Sequence, residues 1–337
     1  MMSRFAYLID KIKAAEFSEF PFHHIYIDDF FLNDDFTDII NTPEIAISPA
    51  RSDDHLFSLL FENGYKIIDF PGCVTNKDQY IRWHAEKKIT NTVTNTACEG
   101  FGVTLRLVDP RTPLISHLKE FLSGPQFQTA AAEKFGVAAA DVYADNGIQK
   151  YLDGYEISPH PDIRKKALTY MVNINPHENS GELDHHTHYL KFKERYRYIE
   201  TFWQHNPDVD RCWFPWSWCE SKSVQTKNNS IVIFSPSNNT MHGVKTNYDH
   251  LAAQRTQLYG NLWYHNVAQQ NDYPSWEDYV VGGAGARRHS SLPSAIKSHL
   301  PAPIKELAKR VLAMSRRESN VIGDRIEHHR TENNQPL

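Results

Sequence analysis

The stretch Ile148-Gln149-Lys150-Tyr151-Leu152-Asp153-Gly154-Tyr155-Glu156-Ile157-Ser158-Pro159-His160-Pro161-Asp162 decides how this chain is read. Its first five residues read as a strand, Gly154 permits a tight turn, and 156–162 runs on as a second extended segment. In an extended chain residues two apart share a face, so His160 and Asp162 are expected on one side with Pro161 on the other. Proline has no N–H for a sheet ladder, which puts the pair at a strand end or edge, within reach of solvent. Downstream, Ala167-Leu168-Thr169-Tyr170-Met171-Val172-Asn173-Ile174-Asn175 reads as a buried strand closed by a Pro176 turn.

A second strand of the same kind, Ser230-Ile231-Val232-Ile233-Phe234, ends in the turn-rich Ser235-Pro236-Ser237-Asn238-Asn239 and leads to Met241-His242-Gly243, eighty-two positions past His160. Thirteen residues later begins Arg255-Thr256-Gln257-Leu258-Tyr259-Gly260-Asn261-Leu262-Trp263-Tyr264, in which Arg255, Gln257, Tyr259, Asn261 and Trp263 share a face. His-x-Asp alone is a weak signal in a chain with 18 histidines, but flanking apolar strands and a downstream arginine give it weight. Two imidazoles and one carboxylate leave about three positions open on a non-haem Fe(II), enough for a cosubstrate and O₂ together. A guanidinium makes two parallel charge-assisted bonds to a carboxylate, so Arg255 suits the far carboxylate of a dicarboxylic acid.

On these residues the chain resembles the 2-oxoglutarate and Fe(II)-dependent oxygenase superfamily, in its prolyl-4-hydroxylase-like branch. The matching segments also include Gln149-Lys150-Tyr151-Leu152-Asp153-Gly154, Ser180-Gly181-Glu182-Leu183 and Met241-His242-Gly243-Val244, in the family's order over 145–266. Pro21-Phe22 and Ile27-Asp28-Asp29-Phe30-Phe31 resemble the family's opening strand. The resemblance implies a mainly β fold, a double-stranded β-helix or jelly roll, with flanking N-terminal helices and a C-terminal helical tail. It implies that His160, Asp162 and His242 hold iron, that Arg255 binds 2-oxoglutarate, and that Tyr151 touches the same molecule. Gln257 stands where many relatives carry a hydroxyl residue, and Asn173 where some carry a tyrosine, so both join the cosubstrate-binding set. The implied activity is a dioxygenase hydroxylating an unactivated C–H bond with release of succinate and CO₂, using O₂ and with ascorbate as the reductant. Asp162 occupies the position that a halide would need, which disfavours halogenation.

Two other readings stand beside it. A cupin-like metal protein acting as an isomerase or sugar binder needs no dicarboxylate clamp, so Arg255 separates it from the oxygenase. An interaction module that kept the fold without turnover would be indifferent to loss of His160. The substrate is expected to be a small molecule, a glycan or a peptidyl group.

Asp184-His185-His186-Thr187-His188 is a second imidazole-rich segment, in which His186 and His188 would share a strand face. It opens 184–228, read as an insertion rich in aromatics (Phe202, Trp203, Trp213, Phe214, Trp216, Trp218) that either stack on a substrate or form a satellite core. Lys191, Lys193, Arg195 and Arg197 alternate with aromatics there and suit an anionic ligand or a solvated face.

Forty per cent apolar residues over 337 positions can fill one large β domain, expected over 21–281 after a helix within 1–20 that places Phe5, Leu8, Ile9 and Ile12 on one face. Met1 leads into that helix without a signal-peptide core, and no apolar run is long enough to cross a membrane, so a cytoplasmic protein is expected. Cys73, Cys98, Cys212 and Cys219 lack zinc spacing and are too few for a disulfide framework. Residues 284–337 carry ten Lys or Arg against five Asp or Glu, leaving the remainder at minus ten, a charge that disfavours duplex nucleic acid as partner. Past Gly282-Gly283-Ala284-Gly285, a basic tail over 282–337 places Ile304, Leu307, Ala308, Val311 and Leu312 at helical spacing. That helix is expected to dock on the domain or to join a second subunit in a homo-oligomer, and the last dozen residues are expected to be disordered.

Overall fold

The computed structural model describes residues 3–90 and 97–266. The tail expected over 282–337 lies outside them. In chain order the elements are α1 (Tyr7–Ala14), β1 (Phe17–Ser18), β2 (His24–Ile27), α2 (Asn33–Ile40), α3 (Asp53–Glu62), β3 (Tyr65–Ile67), α4 (Lys77–Thr90), β4 (Thr104–Leu107), α5 (Pro113–Ser123), α6 (Pro125–Lys134), β5 (Val142–Tyr151) and β6 (Glu156–His160). They continue with β7 (Lys166–Asn173), β8 (Thr187–Phe192), α7 (Tyr198–His205), β9 (Cys219–Val224), β10 (Ile231–Phe234), β11 (His242–Lys245) and β12 (Arg255–Tyr264).

The strands form two sheets, β1-β2-β10-β7-β12-β5-β4-β3 and β6-β11-β8-β9, and every named pairing among the described residues is antiparallel. Side-chain alternation divides the larger sheet. Ile148 on β5, Tyr170 and Val172 on β7, Ile231 and Ile233 on β10 and Leu258 on β12 join Phe5, Leu8, Leu56, Phe57, Leu118 and other helix residues in one continuous core. The opposite face presents Gln149, Tyr151, Met171, Arg255, Gln257 and Tyr259 to a cavity. The fold is therefore built on antiparallel sheets with helices ahead of the ligand-bearing strands, as expected, although α2 to α6 lie between β2 and β5, where no individual helix was placed.

The segment 184–228 is woven into the fold. It supplies β8 and β9, half of the smaller sheet, and β8 pairs directly with β11. Half of the six aromatics named above form a satellite core, in which Phe214, Trp216 and Trp218 pack against Leu190, Phe192, Ile199, Cys219 and Met241. Trp203 is buried under the Arg164 guanidinium, 4.0 Å from the ring centroid. All four cysteines are free. No helix among the described residues is long and apolar enough to cross a membrane.

Gly260 marks a close approach on the helix-facing side of β12. A Cβ there would lie 2.1 Å from Cζ of Tyr170, whose ring is fully buried on the neighbouring strand. Gly260→Ala is therefore expected to cost about 3 kcal/mol, because Tyr170 is wedged against Phe127 and cannot withdraw. Urea unfolding checks this, and an unchanged midpoint would mean that the ring moves freely.

Candidate metal centre

Strands β6 and β11 pair so that His160 stands directly opposite His242, and the two rings lie 4.3 Å apart. Strand β6 ends at His160, as Pro161 requires, and Asp162 then turns into the left-handed region with φ of 72°. The expected shared extended face is thus corrected: a turn, not strand alternation, brings the carboxylate beside the imidazoles. Aspartate is among the few side chains that tolerate this conformation. The Asp162 carboxylate is pinned by the Lys166 ammonium, 2.5 Å from Oδ1, and by the Thr169 hydroxyl, which donates to Oδ2 at 2.6 Å.

Each imidazole is oriented by its own backbone. Nδ1 of His160 lies 2.9 Å from the Ser158 carbonyl, and Nδ1 of His242 lies 2.9 Å from the Thr240 carbonyl. A carbonyl only accepts, so each Nδ1 carries a proton, and in the neutral ring Nε2 is left as the metal-binding atom. Those Nε2 atoms face Asp162, at 3.5 Å from Oδ1 for His160 and 3.7 Å from Oδ2 for His242. Burial, and then the neighbouring His160, push His242 down to about 3, so it is neutral at pH 7. Burial opposes ionisation of Asp162, but the Lys166 ammonium beside it outweighs burial and holds the carboxyl well below its usual range. The three ligand atoms lie within 4.8 Å of one another, with fixed tautomers and second hydrogen bonds, which fits a divalent metal.

The same cavity, about 410 Å³, reaches Arg255, which β12 places opposite Tyr151 of β5. Arg255 is 2% exposed, its guanidinium carbon is 4.6 Å from the Tyr151 ring centroid, and Nη2 donates to Thr187 Oγ1 at 2.9 Å. No carboxylate among the described residues forms an ion pair with it. A buried cation without a counter-ion is costly, and burial lowers its pKa. Gln257 lines the cavity next to it. Tyr151 stacks on Arg255 and spends its hydroxyl on Gln149, whose amide oxygen, turned toward Arg106, accepts from Nη2 at 2.8 Å. Asn173 does not line the cavity: its amide donates to the Gln225 carbonyl at 2.8 Å and its oxygen accepts from Gln257 at 3.0 Å, so it supports Gln257 from behind.

Sequence reasoning missed Lys166 and Thr169. Thr169 shares the inward face of β7 with Met171, and that two-residue spacing was available as a signal. Lys166 follows the charged turn Arg164-Lys165, and nothing local distinguishes it from a solvated lysine. It also missed the outer cavity wall, where Arg106 meets Asp145 at 3.1 Å and Arg211 meets Glu99 at 2.7 Å.

The Asp184–His188 histidines stay away from the cavity. His185 and His186 are buried behind β8, where burial first of all lowers them to about 2 and about 4. His188 faces Ser221 at 2.9 Å and the Trp216 ring. A different group, Asp53, His84 and His250, also brings three ligand atoms within 4.8 Å. Its tautomers decide against a metal. His250 Nδ1 accepts the Asp153 N–H at 3.2 Å, so Nε2 carries the proton and donates it to Asp53 Oδ1 at 2.7 Å. His84 bridges Asp53 and Asp153 at 2.9 Å each. The group is a buried hydrogen-bond network tying α3 and α4 to the turns after β5 and before β12.

No protein-family model and no curated protein matches the sequence. Among solved structures the chain is similar to a prolyl-4-hydroxylase from Pseudomonas putida, at 10% identity over 77% of this chain and 98% of that one, with a TM-score of 0.37. It is similar to a prolyl hydroxylase from Trichoplax adhaerens, in complex with a hypoxia inducible factor oxygen degradation domain peptide fragment, at 12% identity over 63% and 89% of the two chains and a TM-score of 0.31. A 2OG-Fe(II) oxygenase family oxidoreductase from Burkholderia pseudomallei gives 14% identity over 65% and 94%, with a TM-score of 0.27.

Proposed function

We propose that the chain is an Fe(II)- and 2-oxoglutarate-dependent dioxygenase of jelly-roll fold, which hydroxylates an unactivated C–H bond. The observation that carries this reading is the buried Arg255 guanidinium, without a carboxylate partner, in the same cavity as the His160, Asp162 and His242 ligand atoms. A non-redox cupin-like protein has no use for that cation. When bound, iron and 2-oxoglutarate supply the oxidising chemistry, in which the cosubstrate is decarboxylated to succinate and one oxygen atom of O₂ passes to the substrate.

The protein's share is positional. His160, Asp162 and His242 would hold the metal through the three ligand atoms that the cavity gathers. Arg255 grips the far carboxylate of the cosubstrate, Gln257 and Thr187 lie alongside it, and Tyr151 backs the guanidinium with its ring. The outer wall, with Trp213, Tyr259 and Trp263 among the Arg106–Asp145 and Arg211–Glu99 pairs, admits a small molecule, a glycan or a peptidyl side chain and limits water around it.

An anaerobic absorbance titration with Fe(II) and 2-oxoglutarate tests the reading without knowledge of the substrate. Wild type is expected to develop a visible metal-to-cosubstrate charge-transfer band, and His160→Ala none. Folded, iron-loaded wild type without a band would reject the oxygenase and favour the cupin-like alternative.

A further inference from the structure

Lys166 is an unusual neighbour for a metal-binding carboxylate. Its ammonium touches Asp162 Oδ1 at 2.5 Å, donates to the Tyr259 hydroxyl at 2.9 Å, and has a side chain only one-tenth exposed. The ordinary expectation for a cation site is the reverse, since a fixed positive charge beside the ligand opposes a divalent ion through poorly screened protein.

The charges of the inner cavity can be counted. Asp162 contributes minus one, Lys166 and Arg255 plus one each, and the two imidazoles, counted as the neutral rings that bind a metal, add none, which leaves the metal-free site at plus one. Farther out, Arg106 is offset by Asp145 and Arg211 by Glu99, and Asp69 stands exposed at the rim. Rim charges add the same amount to every state of the site. A divalent ion alone takes the inner site to plus three, and a dicarboxylate dianion returns it to plus one. Lys166 thus neutralises Asp162 when the metal is absent and penalises the metal when it arrives alone.

We propose that Lys166 is a built-in counter-ion that makes metal retention depend on the dicarboxylate, so that the site holds Fe(II) weakly by itself and firmly only with the 2-oxo dianion. This rests on the oxygenase reading of the site and adds to it the reason why the metal needs the dianion. Chelation by a 2-oxo acid couples the two ligands in any such site, and Lys166, a fixed charge that weakens Fe(II) by the same factor in both states, lowers the baseline so that only the coupled complex is retained. By linkage, the factor by which 2-oxoglutarate tightens Fe(II) equals the factor by which Fe(II) tightens 2-oxoglutarate.

Anaerobic calorimetry of Fe(II) binding to the full chain, with and without saturating 2-oxoglutarate, tests this. Lys166→Gln keeps a donor for Asp162 and removes the charge, Lys166→Met removes both, and Lys166→Arg keeps the charge. The Gln and Met variants are expected to bind Fe(II) alone about tenfold or more tightly than wild type, so that the metal is retained without 2-oxoglutarate, with the coupling factor unchanged, and Arg to behave as wild type. Unchanged or weaker Fe(II) binding by Lys166→Gln would overturn the proposal, and would leave the site reading intact provided that His242→Ala abolishes binding. If His242→Ala binds Fe(II) as wild type does, the site reading itself fails.

Discussion

Arg255→Met is expected to raise the 2-oxoglutarate concentration for half-saturation by about 10²- to 10³-fold, while the cosubstrate-free protein stays folded and at least as heat-stable as wild type. The two effects have opposite signs because the guanidinium serves a ligand that is not part of the fold. Truncating one partner of a buried, hydrogen-bonded charge pair costs about 3–4 kcal/mol, and each 1.4 kcal/mol is tenfold in affinity. Within the protein, Arg255 makes one side-chain bond, to Thr187, and one ring contact, to Tyr151. Methionine keeps the ring contact and removes a buried charge that has no carboxylate beside it. Arg255→Lys keeps the charge without the two-pronged geometry, and should lose about tenfold. Titrating the charge-transfer band gives the affinity and calorimetry gives Tm. An arginine that merely braces the sheet would show the other pattern: lower Tm and unchanged half-saturation.

The parts of the site legible in the sequence are those whose signal is local. Strand β12 was read with its observed bounds because five alternate residues from Arg255 to Trp263 are polar or aromatic and the others are suited to a core. His160 and His242 were legible because each follows an apolar or alternating strand and a turn residue that halts it. Asp162 was assigned to the right cluster by the wrong geometry, since a positive φ leaves no trace in spacing when the residue is not glycine. Strand β9 was hidden for a different reason. Cys219–Val224 is an edge strand with one buried residue followed by five exposed ones, so neither a period of two nor an apolar run marks it. The helices before β5 did carry local signals, including the Ser52 cap of α3, whose Oγ accepts the His55 N–H, and Pro113 in the first turn of α5. Those signals were overlooked beside the motifs downstream. Lys166 was not legible at all, because its meaning lies in a carboxylate delivered to it by a left-handed turn.

Stability measured against pH should expose a second buried cation, on the opposite face of the same strand pair. Lys150 of β5 is fully buried, and Nζ reaches the Ile45 carbonyl at 2.9 Å and Thr256 Oγ1 at 2.7 Å, with no carboxylate partner. Two acceptors match the two N–H bonds of a neutral amine, while an ammonium would bring a third N–H that finds only the Tyr65 ring, 5.7 Å away. Burial lowers Lys150 from its ordinary 10.5 to about 7. Between those values the unfolded chain binds the proton and the folded protein does not, so this group makes stability rise with pH, and its penalty is fully present below about 7. That penalty is about 4–5 kcal/mol at 1.36 kcal/mol per unit, partly offset in a variant by the Ile45 carbonyl left without a donor. Lys150→Met is therefore expected to be more stable than wild type by about 2–4 kcal/mol at pH 6–7, with the advantage shrinking by about 1.4 kcal/mol per unit between pH 7 and 9. Comparing the two proteins at each pH matters, because Cys73, Cys212 and Cys219, pushed up to about 12 chiefly by burial, act in the opposite direction above pH 8 and cancel only in the difference. Urea unfolding at pH 6, 7, 8 and 9 supplies that difference, and parallel curves would mean that Lys150 keeps its proton in the fold. Affinity for 2-oxoglutarate should not change, since Lys150 faces the helices while its neighbours Gln149 and Tyr151 face the cavity.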